Sequence, residues 1–80
     1  MDIDNSILPI FGKRLKVLRE SKGISQEELA FRANLDRTYI SGVENGRRNI
    51  SLKALNSIAN AMEITLAELF KDIGNDKTTC

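Results

Sequence analysis

Gly23-Ile-Ser-Gln-Glu-Glu-Leu-Ala-Phe-Arg-Ala-Asn-Leu-Asp-Arg-Thr-Tyr-Ile-Ser-Gly-Val-Glu-Asn-Gly46 is the stretch on which the rest of the chain depends. Two short helices are legible in it. Ser25 can accept from a backbone N–H of the first turn, and Glu28, three residues later, can reach back to the N–H of Ser25, so both halves of a capping box are present. Leu29, Ala30 and Ala33 make a small apolar face. Asn34 stands where the chain must turn sharply, a place that often demands positive φ, and Asn tolerates that region better than any residue but Gly. Leu35 plugs the corner, Asp36 is placed to cap the second helix, and Ile40 and Val43 fall at i and i+3 on its buried side. Asn45-Gly46 ends it.

Too few residues separate the two helices for them to lie antiparallel, which predicts a helix-turn-helix. With the buried positions removed, the outward face of the second helix holds Arg37, Thr38, Tyr39, Ser41 and Gly42, followed by Asn45, Arg47, Arg48 and Asn49. A guanidinium can bond bidentately to guanine, a Thr methyl can touch the thymine methyl, and hydroxyl and amide groups can bond to phosphate oxygens. The same residues also read as a solvated helix face followed by a basic loop, and composition alone does not choose between the two.

The run Ser25-Gln26-x-x-Leu29-Ala30, then Tyr39-Ile40-Ser41-x-Val43-Glu44-Asn45-Gly46, then an apolar helix ending near Ala61, resembles the Cro and phage-repressor (XRE-like) type of bacterial helix-turn-helix regulator. The resemblance covers roughly residues 9–72. Within that group, Leu-Asp-Arg-Thr-Tyr-Ile-Ser over 35–41 is similar to the recognition-helix text of the controller proteins of restriction–modification systems. The resemblance implies an all-α fold, a compact five-helix bundle, with a double-stranded DNA operator as partner and a homodimer as the binding species. It further implies control of the protein's own gene and of a restriction–modification operon, by activation at a favourable site and by repression when a second dimer loads, with RNA polymerase as a further partner. For Gln26 it implies a contact to backbone phosphate and an outer base, where free N–H groups and the positive end of the helix dipole also favour an anion.

Arg37 and Thr38 occupy the exposed first turn, the part of a recognition helix that usually enters the major groove, and with Ser41 they are the base-reading candidates. Gln26, Tyr39, Asn45, Arg47, Arg48 and Asn49 are the candidates for the DNA backbone. Tyr39 has two readings, one against sugar and phosphate and one packed on a neighbouring helix. Gly42 costs helix stability of about 1 kcal/mol relative to alanine. Look-alike regulators sometimes read a base from that position, so a closer approach of backbone to DNA is the expected gain, together with readout through groove width or bending. Glu44, between core and surface, is expected to hold an arginine such as Arg14 or Arg47. Such loops often carry proline in the family where Ile50 stands here.

Around this centre, Pro9 suits a first helical turn, and Phe11, Leu15 and Leu18 follow at i, i+4 and i+7 in a helix that Gly23 stops. Lys13, Arg14, Lys16, Arg19 and Lys22 read as its opposite, solvated face. Ser51 caps a fourth helix whose core face is Leu52, Leu55, Ile58, Ala59 and Met62, and Lys53 near its start lies within reach of phosphate. Glu63-Ile64 makes the next turn, and Thr65 to Glu68 is a second capping box opening a short helix with Leu66, Leu69, Phe70 and Ile73. Ile64, Leu66, Phe70 and Ile73 are the expected dimer seam, with intramolecular core as the rival reading. Residues 1–6 and 75–80 read as tails flanking one domain over 7–74.

Eighty residues form one small domain whose core gains from a partner, so oligomerisation is expected. The single cysteine, Cys80, has no mate in the chain, which fits a reducing cytoplasm. No apolar run approaches the ~20 residues that span a bilayer, and the first residues are acidic, so neither a membrane span nor a signal peptide is expected. Through Lys53 the chain has ten basic and seven acidic residues, net +3, and from Ala54 it has two and four, net −2, so positive charge gathers on the half expected to face DNA. With no histidine, no Gly-rich phosphate loop and no metal-ligand spacing, neither an enzyme nor a metal or other cofactor is expected. The competing class is a protein-interaction module or antitoxin on the same fold.

Overall fold

The structure, a computed structural model, describes residues 6–73. The tails expected at either end therefore lie outside the described residues, Ser6 excepted, as do Gly74 and Cys80. Five helices follow in order, α1 Ile7–Ser21, α2 Gln26–Ala33, α3 Arg37–Glu44, α4 Leu52–Ala61 and α5 Leu66–Leu69. No strand occurs among the described residues. The expected all-α five-helix architecture is the one observed, with α2 and α3 forming the helix-turn-helix.

Side-chain caps start three of the helices. The hydroxyl of Ser25 accepts from Glu28 N at 2.9 Å, that of Ser51 from Ala54 N at 3.0 Å and that of Thr65 from Glu68 N at 3.0 Å. The return halves of the two expected capping boxes are replaced by bonds to cations. Arg32 Nε donates to the Glu28 carboxylate at 2.8 Å and Arg14 lies 3.5 Å from that of Glu68, and charge-assisted bonds outcompete a neutral backbone donor. Asp36 takes the N-cap position of α3 with extended backbone, but contrary to expectation its side chain makes no capping bond.

The first four helices end by one device. Gly23, Asn34, Gly46 and Glu63 adopt left-handed φ of 71°, 59°, 73° and 59°. The next residue then donates back across the turn, Ile24 to Arg19 O at 3.3 Å, Leu35 to Ala30 O at 2.8 Å, Arg47 to Gly42 O at 2.9 Å and Ile64 to Ala59 O at 3.0 Å. This is the Schellman closure, which satisfies carbonyls that a helix end otherwise leaves free. Ile24, Leu35 and Ile64 thereby lay their side chains on the core.

Each helix contributes one side chain with no exposed surface, Leu15, Leu29, Ile40, Ile58 and Leu69, and each such burial is worth about 1.5–3 kcal/mol. α3 packs on α1 and α2, α4 on α2, and α5 closes against α4 and α1. The α1–α3 crossing is close enough that a Cβ on Gly12 would stand 2.3 Å from the Val43 carbonyl oxygen. One core assignment fails. Leu52 shares the angular phase of Leu55 and Ala59, yet at the first turn of α4 it overhangs the core and is 74 % exposed, while Ala54 is buried.

Candidate nucleic-acid interface

The inner edge of α3 fixes what its outer edge presents. Ile40 and Val43 are buried against α1 and α2, and Glu44, at the last turn, is buried with them. Arg19 Nε donates to one Glu44 carboxylate oxygen at 2.7 Å and a terminal nitrogen of Arg19 donates to the other at 3.1 Å. Gln26 Nε2 donates to the same carboxylate at 2.9 Å, and the remaining terminal nitrogen of Arg19 donates to the Ile24 carbonyl at 2.8 Å. The guanidinium is held above its ordinary pKa, chiefly by the hydrogen bond to Glu44, with burial opposing. One carboxylate thus joins the end of α1, the start of α2 and the end of α3.

With that edge locked, Arg37 and Thr38 are exposed on the first turn of α3, and Ser41 is half-buried one turn on. Asn45, Arg47, Arg48 and Asn49 are exposed in the segment that follows, where Asn45 Nδ2 lies 3.5 Å from the Ser41 hydroxyl. Tyr39 is half-buried, and its hydroxyl accepts from Ser51 N at 3.2 Å, tying α3 to the cap of α4. The Arg48 guanidinium carbon sits 4.5 Å from the centre of the Tyr39 ring, within cation–π range. Beside them a cleft of about 350 Å³ is lined by residues including Asn34, Leu35, Tyr39, Ser51, Lys53 and Ala54.

A helix-turn-helix family model matches residues 15–69. The chain is 51 % identical over 70 residues to the control protein C.MunI of a Mycoplasma species, a match covering 86 % of this chain and 95 % of the relative. It is 43 % identical over 74 residues to the control protein C.BamHI of Bacillus amyloliquefaciens, covering 89 % and 91 %. Among solved structures it is similar to the restriction–modification controller protein C.AhdI from Aeromonas hydrophila, with a TM-score of 0.76, 50 % identity and coverage of 80 % of this chain and 96 % of that one. The chain belongs to the helix-turn-helix regulators of the restriction–modification controller type. It is also similar to C.Esp1396I, solved as a tetramer in complex with its natural 35 base-pair operator, with a TM-score of 0.76, 39 % identity and coverage of 82 % and 87 %.

Several side chains of this controller-type chain stand elsewhere than the sequence suggested. Arg19 leaves the solvated face of α1 for the buried pair, so the partner of Glu44 is neither Arg14 nor Arg47. The signal was spacing, because Arg19 follows Leu15 by four residues and shares its side of the helix. Arg14 instead donates to the Glu68 carbonyl at 2.7 Å and anchors α5. Gly42 also gives clearance within the chain, since a Cβ there would meet Arg48 Cβ at 3.3 Å. Tyr39 packs partly on the core and accepts a bond from Ser51 N, and the rest of its side chain stays accessible. The four expected seam residues each have intramolecular neighbours as well. Phe70 pairs with Phe11 at 5.4 Å between ring centres, Ile73 lies beside Ile10 and Val17 of α1, and Leu66 lines a different groove with the exposed Leu52 and with Asn56. Ile64 rests partly on the core. No described helix is long and apolar enough to cross a membrane.

Proposed function

We propose that the protein binds a near-palindromic DNA operator as a twofold dimer, with the first turn of α3 in the major groove. Arg37 and Thr38, and Ser41 behind them, read bases, while Asn45, Arg47, Arg48 and Asn49 hold phosphates. The observation that carries this reading is the exposure of Arg37 and Thr38 on a helix whose opposite edge is immobilised by Ile40, Val43 and the Glu44 carboxylate. A reader fixed in this way meets DNA with little ordering left to lose. Gln26 gives one amide N–H to Glu44 and keeps a second donor for phosphate. Tyr39 serves the backbone contact indirectly, as the seat of Arg48. Leu66, Phe70, Ile73 and Ile64, with Leu52 added, supply apolar surface for the dimer. Two recognition helices related by twofold symmetry would then lie about one helical turn, roughly 34 Å, apart.

In the same reading the protein works in the cytoplasm and controls its own gene and a restriction–modification operon. It activates from one site with RNA polymerase as partner, and represses when a second dimer loads. Titration of DNA from upstream of its own gene, followed by mobility shift across a salt series, tests the binding. About three phosphates neutralised per protomer predict a slope of log K against log salt near −5 for the dimer. A slope near zero rules the mechanism out and leaves a protein-interaction role on the same fold. Arg37→Ala should weaken the preferred operator by about 1–3 kcal/mol and relax one base preference, whereas Arg48→Ala should weaken all sequences alike. Identical profiles for the two variants would dissolve the division into readers and clamps.

A further inference from the structure

Asn45-Gly46 is the only Asn-Gly pair in the sequence. A nitrogen followed by no side chain is free to approach the preceding Asn, which makes this dipeptide the one most open to ring closure in a flexible chain. The fold cannot dispense with the glycine, because its φ is 73° and a Cβ would fall 2.9 Å from Pro9 Cα. In the closed turn the pair is restrained twice. Gly46 N donates to the Val43 carbonyl at 3.1 Å. Asn45 has ψ of 3°, and bringing the Gly46 nitrogen over its side-chain carbon takes about a third of a turn about ψ. Both restraints lapse together when the turn beyond Glu44, where Asn45 and Arg47 are exposed, opens locally and leaves the buried Glu44 pair in place.

We propose that Asn45-Gly46 is a site of spontaneous deamidation, opened by local unfolding of the turn beyond Glu44, and that its conversion weakens DNA binding. The second half rests on the function proposed above. Gly46 N gives its proton to solvent base and bonds to Asn45 Cγ, while the Cγ–Nδ2 bond breaks and the nitrogen leaves as ammonia. Water then opens the cyclic imide at either carbonyl, leaving an aspartyl or an isoaspartyl residue at position 45. Either product sets a negative charge at the negative end of the α3 dipole and beside Arg47 and Arg48, where phosphate is to bind. The isoaspartyl product also lengthens the main chain inside the Schellman closure.

Incubating the whole folded protein at mildly alkaline pH, with peptide mapping by mass spectrometry, reads the site without reference to DNA. Asn45 should convert at least about tenfold faster than Asn49 or Asn60, and faster still in denaturant, where no opening step remains. Equal rates at Asn45 and Asn49 in the folded protein would overturn the site. Operator affinity measured on the same samples should decay in step with conversion of Asn45. Asn45→Gln, compared with its own affinity at zero time, should hold steady. Asn45→Asp should bind about tenfold more weakly at low salt. Undiminished binding by fully converted protein would overturn the switch and leave the site standing. Absence of DNA binding at zero time would instead defeat the function proposed above, and the switch with it.

Discussion

Glu44→Ala should cost about 3–5 kcal/mol of folding stability, the range for removing one partner of a buried ion pair. For 80 residues the whole stability is on the order of 4–12 kcal/mol, so this variant should be largely unfolded or close to it. The cause is what remains behind. Arg19 would keep its charge in a site where its side chain is 8 % exposed, with the Ile24 carbonyl as its near partner and the Glu20 carboxylate 4.0 Å away. Gln26 would lose its acceptor too. Urea titration followed by circular dichroism checks this, and the double variant Arg19→Met with Glu44→Leu supplies the contrast. Removing both charges should restore most of the loss, because a buried pair exchanged for packed apolar groups is often neutral. If the double variant is as unstable as the single one, the penalty lies in shape and not in an abandoned charge. The contribution of Arg19 should be constant through the neutral range. A guanidinium raised above its ordinary value stabilises fully below that value, and the gain is lost only as pH rises through the still higher folded one.

What the sequence made legible was mostly local. Ser25, Ser51 and Thr65 announce helix starts because their short hydroxyls reach backbone amides three residues on, whatever the rest of the chain does. Asn34 and Gly46 announce ends for an equally local reason, their tolerance of positive φ. Glu63 performs the same turn without announcing it, since nothing in a glutamate favours φ of 59°; Ile64, drawn onto the core just after it, imposes the conformation. Arg19 and Leu52 were misplaced for one shared reason. Polarity assigns a side chain to water or core only where neighbours are known, and here a carboxylate 25 residues away buries the arginine, while the lack of any covering helix exposes the leucine. The outward face of α3 was legible because subtraction suffices on so short a helix: once Ile40 and Val43 are inward, Arg37 and Thr38 have nowhere else to point. Phe70 and Ile73 required knowing how α5 folds over α1, which no spacing reveals.

Gly12 left no signal in the sequence, and its replacement is the second large effect expected. Alanine normally gains about 1 kcal/mol over glycine inside a helix, and at Gly12 of α1 this gain should be reversed. The added Cβ would stand 2.3 Å from Val43 O and 2.6 Å from Glu44 O, both main-chain atoms of α3 that cannot rotate away. Overpacking typically costs 1–3 kcal/mol when side chains can adjust; with only whole-helix movement available, Gly12→Ala should lose about 2–3 kcal/mol net. Gly42→Ala is the control from the same kind of position. Its Cβ would meet Arg48 Cβ at 3.3 Å, in a loop residue that can give by a few tenths of an ångström, so its change should stay within about 1 kcal/mol. Thermal or urea unfolding of the pair decides the matter, and near-equal stabilities would mean that α1 and α3 separate cheaply. Such separation would carry Glu44 away from Arg19, because one of the two carbonyls struck by the new methyl belongs to Glu44 itself. On the function proposed above, Gly12→Ala should therefore weaken operator binding at temperatures where it remains folded, by loosening the edge that holds Arg37 and Thr38 in place.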